Sequence, residues 1–236
     1  MKVDFHIHTN FSYDGMSSPE EVIDAAIDSG LDCICITDHN QTEGAIRAMK
    51  YAFDKNILVI PGIEILSLVG DILGIGVKKI IPDFLLPSRT IEEIHKQGGI
   101  AVIPHPFEFV NGLKHRKKVL LSADAMEVFN ASMPAFINKK ASVFSVKYNT
   151  AFTAGSDSHK AKYVGRAYLD IPGENLSEKE ILEHVKKRSG LIQGKALGFW
   201  EIMDNCSKLQ LIKFIGYRHS LKSKQRAILR NGGSLE

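Results

Sequence analysis

Residues that ligate metal ions recur along this chain at one kind of place. His6 and His8 flank Ile7 in a segment where apolar Val3, Phe5 and Ile7 alternate with Asp4, His6 and His8. A period of two predicts a strand over Lys2–Ile7, and side chains two apart on a strand share a face. Both imidazoles are therefore expected to project the same way from a stiff backbone, as two ligands of one ion must. One His-x-His pair is weak evidence, and the placing of the other histidines strengthens it. Of nine histidines, His6, His8, His39, His105 and His159 fall at or just beyond the C-terminal ends of predicted strands. His95 and His184 fall in helical patterns, His115 in a loop and His219 in the C-terminal tail. Asp14, Glu64, Glu127 and Asp157 join the five at strand ends. Imidazole and carboxylate are the ligands of Zn, Mn and Fe, and thiolate is absent from the set. Nine groups exceed what one ion takes, so two or three divalent ions are expected, with one carboxylate bridging. Any single one of these groups can be satisfied by hydrogen bonds alone. Burying most of them together without metal costs too much. Asp14, beside Gly15, also reads as a solvated turn residue, and Glu127 equally well as a hydrogen-bonded structural one.

The elements that must position these groups alternate. Ser18-Pro19-Glu20-Glu21 opens a helix with a capping box, and Gly30 stops it. Cys33–Thr37 is a second strand running into Asp38-His39-Asn40, followed by a helix over Glu43–Asp54. Leu58–Ile63 is a third strand that delivers Glu64, and Ile65–Val77 reads as an inserted hairpin broken by glycines. A helix over Thr90–Gln97 leads to strand Ile100–Ile103 and Pro104-His105-Pro106. Strand Ala125–Phe129 carries Glu127. Pro134–Val146 is helical, and Ala151–Ala154 ends in Gly155-Ser156-Asp157-Ser158-His159. Strand Arg166–Ile171, a capped helix over Ser177–Lys187 and a short strand Leu191–Gln193 complete the pattern. Alternation of this kind predicts a parallel α/β architecture, either a barrel or a doubly wound sheet. The ligand-type residues follow at least five strands, always at the same end. An open sheet gathers ligands at one switch point, whereas a closed barrel brings every strand end to one rim. A barrel is the expectation.

Composition sets the bounds. The chain has 236 residues, 44% of them hydrophobic and 24% charged, enough for one domain with a full core. It contains no apolar run of about 18 residues, so no membrane span is expected, and its start reads as strand rather than leader. Cys33, Cys35 and Cys206 form no disulfide framework, which fits a cytoplasmic setting. Net charge is +3, but from Asn205 onward there are seven basic residues and one acid. The basic excess therefore belongs to the tail.

The motifs His6-Ile7-His8-Thr9, Thr37-Asp38-His39-Asn40, Gly62-Ile63-Glu64, Pro104-His105-Pro106 and Gly155-Ser156-Asp157-Ser158-His159 resemble, in order, those of the PHP (polymerase and histidinol phosphatase) family of metal-dependent phosphoesterases. The resemblance covers about residues 1–195 and implies a distorted (β/α)7 TIM-like barrel, with residues 196–236 as a helical, basic C-terminal extension. It implies that His6, His8, Glu64 and Asp157 hold one metal, that Glu64 bridges to a second with His105, and that Asp14, His39 and His159 hold a third. Members with a full trinuclear set commonly place a histidine after the fifth strand. Here the segment reads Glu127-Val128-Phe129-Asn130, which leaves the second site to Glu127 or weakly filled.

Two close metal ions lower the pKa of a shared water, and the hydroxide attacks phosphorus in line. No nucleophile of the chain's own is needed, and neither a P-loop nor a Ser-His-Asp order is present. His159 or Asp38 is a candidate for proton transfer to the leaving oxygen. The expected substrate is a small phosphate ester, of a nucleotide or a short RNA, with no membrane and no protein partner in view. The alternatives are histidinol-phosphate phosphatase and a non-catalytic RNA-binding module of PHP type. Lys114 and Arg116, in the basic run after His105, and Arg166 are candidate ligands for a second phosphate. Apolar residues from Phe199 to Phe214 predict terminal helices that cover the barrel or, with their basic residues, meet a phosphate backbone.

Overall fold

In a computed structural model the chain is described at residues 1–108, 112–113 and 116–205, and at positions 223 and 227. The first half runs β1 (Lys2–Ile7), α1 (Pro19–Asp28), β2 (Cys33–Ile36), α2 (Glu43–Tyr51), β3 (Leu58–Leu66), β4 (Asp71–Ile75) and α3 (Pro87–Lys96). The second half runs β5 (Ile100–Ile103), α4 (Lys117–Ser122), β6 (Ala125–Asn130), α5 (Ala135–Tyr148), β7 (Phe152–Gly155), β8 (Ala167–Asp170), α6 (Glu178–Lys186), β9 (Leu191–Gly194) and α7 (Phe199–Asn205). Lys114 and most of the basic tail lie outside the described residues.

The strands form one sheet in the order β7-β6-β5-β4-β3-β2-β1-β8-β9. It curls into a nearly closed barrel, with the segment after β7 returning to β1. Ile7 and Ser158 form a parallel bridge, the His8 N–H donates to the Ser158 carbonyl at 2.9 Å, and the Asp157 N–H donates to the His6 carbonyl at 2.8 Å. The free edge of β1 is thus divided. β8 pairs antiparallel with its start, at Lys2 and Val3, and β7 approaches its end. Asp4 stitches this division. Fully buried, it accepts hydrogen bonds from the backbone N–H groups of His6 (3.3 Å), Ser156 (2.9 Å) and Gly165 (3.0 Å).

One reading of the sequence is corrected. The third strand does not end before Glu64. β3 continues through it to Leu66 and folds directly into antiparallel β4, so the hairpin is an extension of the strand rather than an insertion after it. Along β1, Val3, Phe5 and Ile7 do not share one environment. The register of β1 against β2 shifts between Asp4 and Ile7. Val3 and Phe5 pack with Cys33, Cys35, Ile60 and Leu73, whereas Ile7 joins Val22, Ile23 and Ala45 under α1 and α2. Irregularities of this kind re-aim side chains beside functional sites, and here the change falls between Asp4 and Ile7, the stretch that holds His6. Both predicted capping boxes are present, Ser18 with Glu21 and Ser177 with Glu180.

Candidate metal centre

Glu64 on β3 is the hub. Its Oε2 lies 3.1 Å from His6 Nε2, 3.2 Å from His8 Nε2 and 3.7 Å from His39 Nδ1, and its Oε1 lies 3.3 Å from His105 Nε2. Asp157 Oδ1 faces the same pair from the other side, 3.5 Å from His6 Nε2 and 3.4 Å from His8 Nε2. Asp14 Oδ2 joins His39 Nε2 at 3.1 Å and His159 Nε2 at 3.3 Å. His8 stacks between His39 and His159, with centroids at 4.8 and 4.4 Å. Four overlapping groups have donor atoms within 4.8 Å of one another: His6-Glu64-His105, His6-His8-Asp157, His8-Asp14-His159 and His8-His39-Glu64. Eight of the residues singled out in the sequence are thereby brought together. Gly155 allows the approach, since a Cβ there would stand 2.5 Å from that of His6.

The hydrogen-bond network assigns the histidine tautomers. His6 Nδ1 lies 3.2 Å from Glu127 Oε1, and His159 Nδ1 lies 3.1 Å from the Asp157 carbonyl. Donation from each Nδ1–H leaves the Nε2 lone pair aimed into the cluster, the arrangement by which outer carboxylates and carbonyls orient metal-bound imidazoles. Among the described residues, the buried Nδ1 atoms of His8, His39 and His105 have no hydrogen-bond partner.

The donor set fits a cation. Burial alone would raise the carboxyls of Asp14, Glu64 and Asp157, but the facing imidazoles hold all three below the usual range. Burial alone would lower the imidazoles. The carboxylates instead raise His6, His8, His39 and His159, and bring His105 to about 10. Protonation cannot satisfy every contact, because two imidazolium N–H groups cannot point at each other across the 3.1 Å between His6 and His8 Nε2. A cation among converging lone pairs can.

These shifts set a pH dependence for the chelator-stripped protein. An imidazole with a raised folded pKa contributes stability that is complete below the unfolded value of 6.5 and lost as pH rises through the folded one, about 10 for His105. The melting temperature of metal-free protein is therefore expected to fall between pH 6.5 and 10. Neutral imidazoles bind metal best, so the stabilisation given by added Mn2+ grows over the same interval. Calorimetric melts with and without Mn2+ measure both trends.

Glu127 stands behind the cluster. Its Oε1 faces His6 Nδ1, and its Oε2 accepts from the His105 backbone N–H at 2.9 Å and from Asn130 Nδ2 at 2.8 Å. Asn130 Nδ2 also reaches Asp157 Oδ2 at 3.1 Å. This places Glu127 to orient His6 and His105. Glu127→Ala is expected to weaken metal binding by about 10–100-fold, the range for such outer partners, as measured by titration with Mn2+.

Asp38 also stands apart. Its two oxygens accept from the Thr9 N–H at 2.6 Å and the Thr9 hydroxyl at 2.7 Å, tying down the turn after His8, and burial raises its carboxyl to about 6. Arg166 is paired with Glu201 of α7 at 3.1 Å. Arg116 immediately precedes α4, whose first turn carries Lys117 and Lys118.

Three residues went unnoticed in the sequence. Asp71, at the start of β4, is buried, with Oδ2 unpartnered among the described residues. Burial and the charge of Glu64 raise it to about 7. Tyr13 stacks on His39 at 4.7 Å and 16°. Asn205 grips the Asp157–His159 loop. Asp157 itself holds a left-handed backbone, φ 51°, a conformation costing a non-glycine residue about 1–2 kcal/mol. Such strain persists only where surrounding contacts fix it.

A barrel with an imidazole–carboxylate cluster on its ligand rim is the architecture of a metal-dependent hydrolase. The family model described as PHP domain matches residues 4–196, so the chain belongs to the PHP-domain family of metal-dependent phosphoesterases. It is 34% identical over 141 residues to the uncharacterised protein MJ1587 of Methanocaldococcus jannaschii, covering 56% of this chain and 82% of that one. Its fold is similar to that of PsfC from Pseudomonas syringae, with a TM-score of 0.64 at 17% identity over 93% of this chain and 98% of that chain. It is also similar to the lesion-specific endonuclease EndoQ of Pyrococcus furiosus, with a TM-score of 0.61 at 14% identity over 82% of this chain and 58% of that chain. Among the described residues, no helix is long and apolar enough to cross a membrane.

Proposed function

We propose that this phosphoesterase hydrolyses phosphate esters of nucleotides or short oligonucleotides in the cytoplasm, using two or three Zn, Mn or Fe ions. The observation that carries the reading is the convergence of His6, His8, His39, His105 and His159 on Glu64, Asp14 and Asp157. An almost complete donor set of this kind speaks against the non-catalytic alternative. His6, His8, Glu64 and Asp157 would hold one ion, Glu64 and His105 a second, and Asp14, His39 and His159 a third.

Bound ions of this class acidify water and neutralise charge on phosphoryl oxygens. The chain's own part is to hold the donors in register. Glu127 and the Asp157 carbonyl fix the tautomers of His6 and His159, Asp38 anchors the turn after His8, and the buried walls restrict bulk water. His159, whose Nδ1–H is held by the Asp157 carbonyl, would pass a proton to the leaving oxygen only where its Nε2 is not taken by the third ion. Asp38, its oxygens held by Thr9, serves better as an anchor.

The basic start of α4 follows the His105 loop off the same rim, and cations there suit a second phosphate. A phosphate-release screen over mononucleotides, bisphosphorylated nucleotides, short 5′-phosphorylated RNA and histidinol phosphate, with Mn2+ and Zn2+, tests the reading alongside elemental analysis. At least two ions per chain and a higher kcat/KM for doubly phosphorylated substrates are expected. Arg116→Ala should remove the preference mainly by raising KM, because it deletes binding made equally in ground and transition states. Less than one ion per chain would refute the hydrolase reading, and preferred turnover of histidinol phosphate would replace the substrate class.

A further inference from the structure

α7 lies beyond the family-matched residues 4–196, yet its last residue reaches the metal-donor loop. Asn205 is fully buried. Its Oδ1 accepts a hydrogen bond from the His159 backbone N–H at 2.9 Å. Its Nδ2 donates to the Asp157 carbonyl and to Ser132 Oγ, both at 2.9 Å. One amide thus holds the backbones of both donors on this loop. The carbonyl it grips is that of the residue with left-handed backbone, and the same carbonyl receives His159 Nδ1 and Ser132 Oγ. The remainder of α7 is docked from outside. Asp204 meets Lys160 at 2.7 Å, Lys162 at 2.8 Å and the Tyr163 hydroxyl at 2.8 Å, and Glu201 meets Arg166.

We propose that Asn205 is a positioning residue of the metal centre, through which a segment outside the family domain sets metal affinity. The chemistry requires a side chain that accepts and donates at once. A carboxylate could still accept from His159, but it would oppose the Asp157 carbonyl. An alanine would leave the buried His159 N–H without its acceptor and take one of three donors from the Asp157 carbonyl. Either change frees the loop whose conformation aims Asp157 Oδ1 and His159 Nε2, and metal centres respond strongly to such outer supports. The inference rests on the reading of the cluster as a metal centre.

The test uses the full chain and Mn2+ alone as probe. Mn2+ dissociation constants and melting temperatures are measured for wild type, Asn205→Ala, the nearly isosteric Asn205→Asp, and Glu201→Ala as a control that loosens α7 away from the loop. Both Asn205 variants are expected to bind Mn2+ about 10–100-fold more weakly and to recover phosphate release at raised Mn2+. Glu201→Ala should lower the melting temperature and leave the dissociation constant unchanged. An unchanged constant in a folded Asn205 variant, or an equal loss in Glu201→Ala, overturns the proposal. So does failure of both Asn205 variants to fold, which would make the residue a general stability element. Wild type that takes up no Mn2+ would sink the metal-centre reading itself, before any variant is compared.

Discussion

Asp157→Ala is expected to abolish metal-dependent phosphate release. Asp157 Oδ1 sits 3.4–3.8 Å from nitrogens of His6, His8 and His159, more imidazoles than any donor oxygen other than Glu64 Oε2 meets. Without it, three imidazoles face one another with less negative charge to hold them or an incoming cation. The loss should exceed the roughly 10–100-fold that outer partners cost. Alanine also fits poorly in the left-handed backbone at this position, so Asp157→Asn is the cleaner variant. Asparagine tolerates positive φ and keeps the shape while removing the charge. Phosphate release at saturating Mn2+, alongside a circular-dichroism melt, separates chemistry from folding. A folded Asp157→Asn protein within tenfold of wild type would remove Asp157 from the donor set.

Asp4→Ala is expected to be the most damaging single change to the barrel away from the metal donors. It would strip a shared acceptor from three backbone N–H groups on three different segments, at His6, Ser156 and Gly165. A buried donor left unpaired costs about 1–3 kcal/mol, so a loss on the order of 3–5 kcal/mol is expected, against a typical total near 5–15 kcal/mol. Burial raises the Asp4 carboxyl to about 6, so the residue is held at some electrostatic cost for the sake of those bonds. Asp4→Asn keeps one acceptor and should lose less. Urea denaturation reads both values. A midpoint for Asp4→Ala equal to that of wild type would show that water replaces the carboxylate at the seam.

The barrel and most of its donors were legible because they fall at or near the ends of short apolar strands, a local pattern, although β3 runs on past Glu64 and Asp14 lies in a loop. His6, His8, Glu64, His105, Asp157 and His159 announce themselves by type and position alone. What escaped depends on contacts between distant segments. Asn205 looks like any helical asparagine until α7 is laid against the loop at Asp157, 48 positions earlier. The side of Glu127 that faces the cluster follows from where Asn130 and the His105 backbone fall. The burial of Ile7 away from Val3 and Phe5 follows from a register shift, and no alternation of residue types records one. Asp71 escapes for another reason, since it stands at a strand beginning, the end of a strand that carries no donor elsewhere in the barrel.

That position has its own consequence. In a barrel of parallel strands, tolerance to substitution runs one way along every strand, with the start serving stability and the end serving chemistry. β4 runs the other way. It enters at the rim, where Asp71 pairs with Leu66 two residues beyond Glu64, and leaves at the opposite end, where Ile75 pairs with Gly62. β8, antiparallel to β1, is reversed as well, but it carries none of the donors. A saturation scan should therefore show an inverted gradient along β4, where substitutions at the first residue would harm turnover in a protein that still melts normally, while substitutions at the last would harm folding.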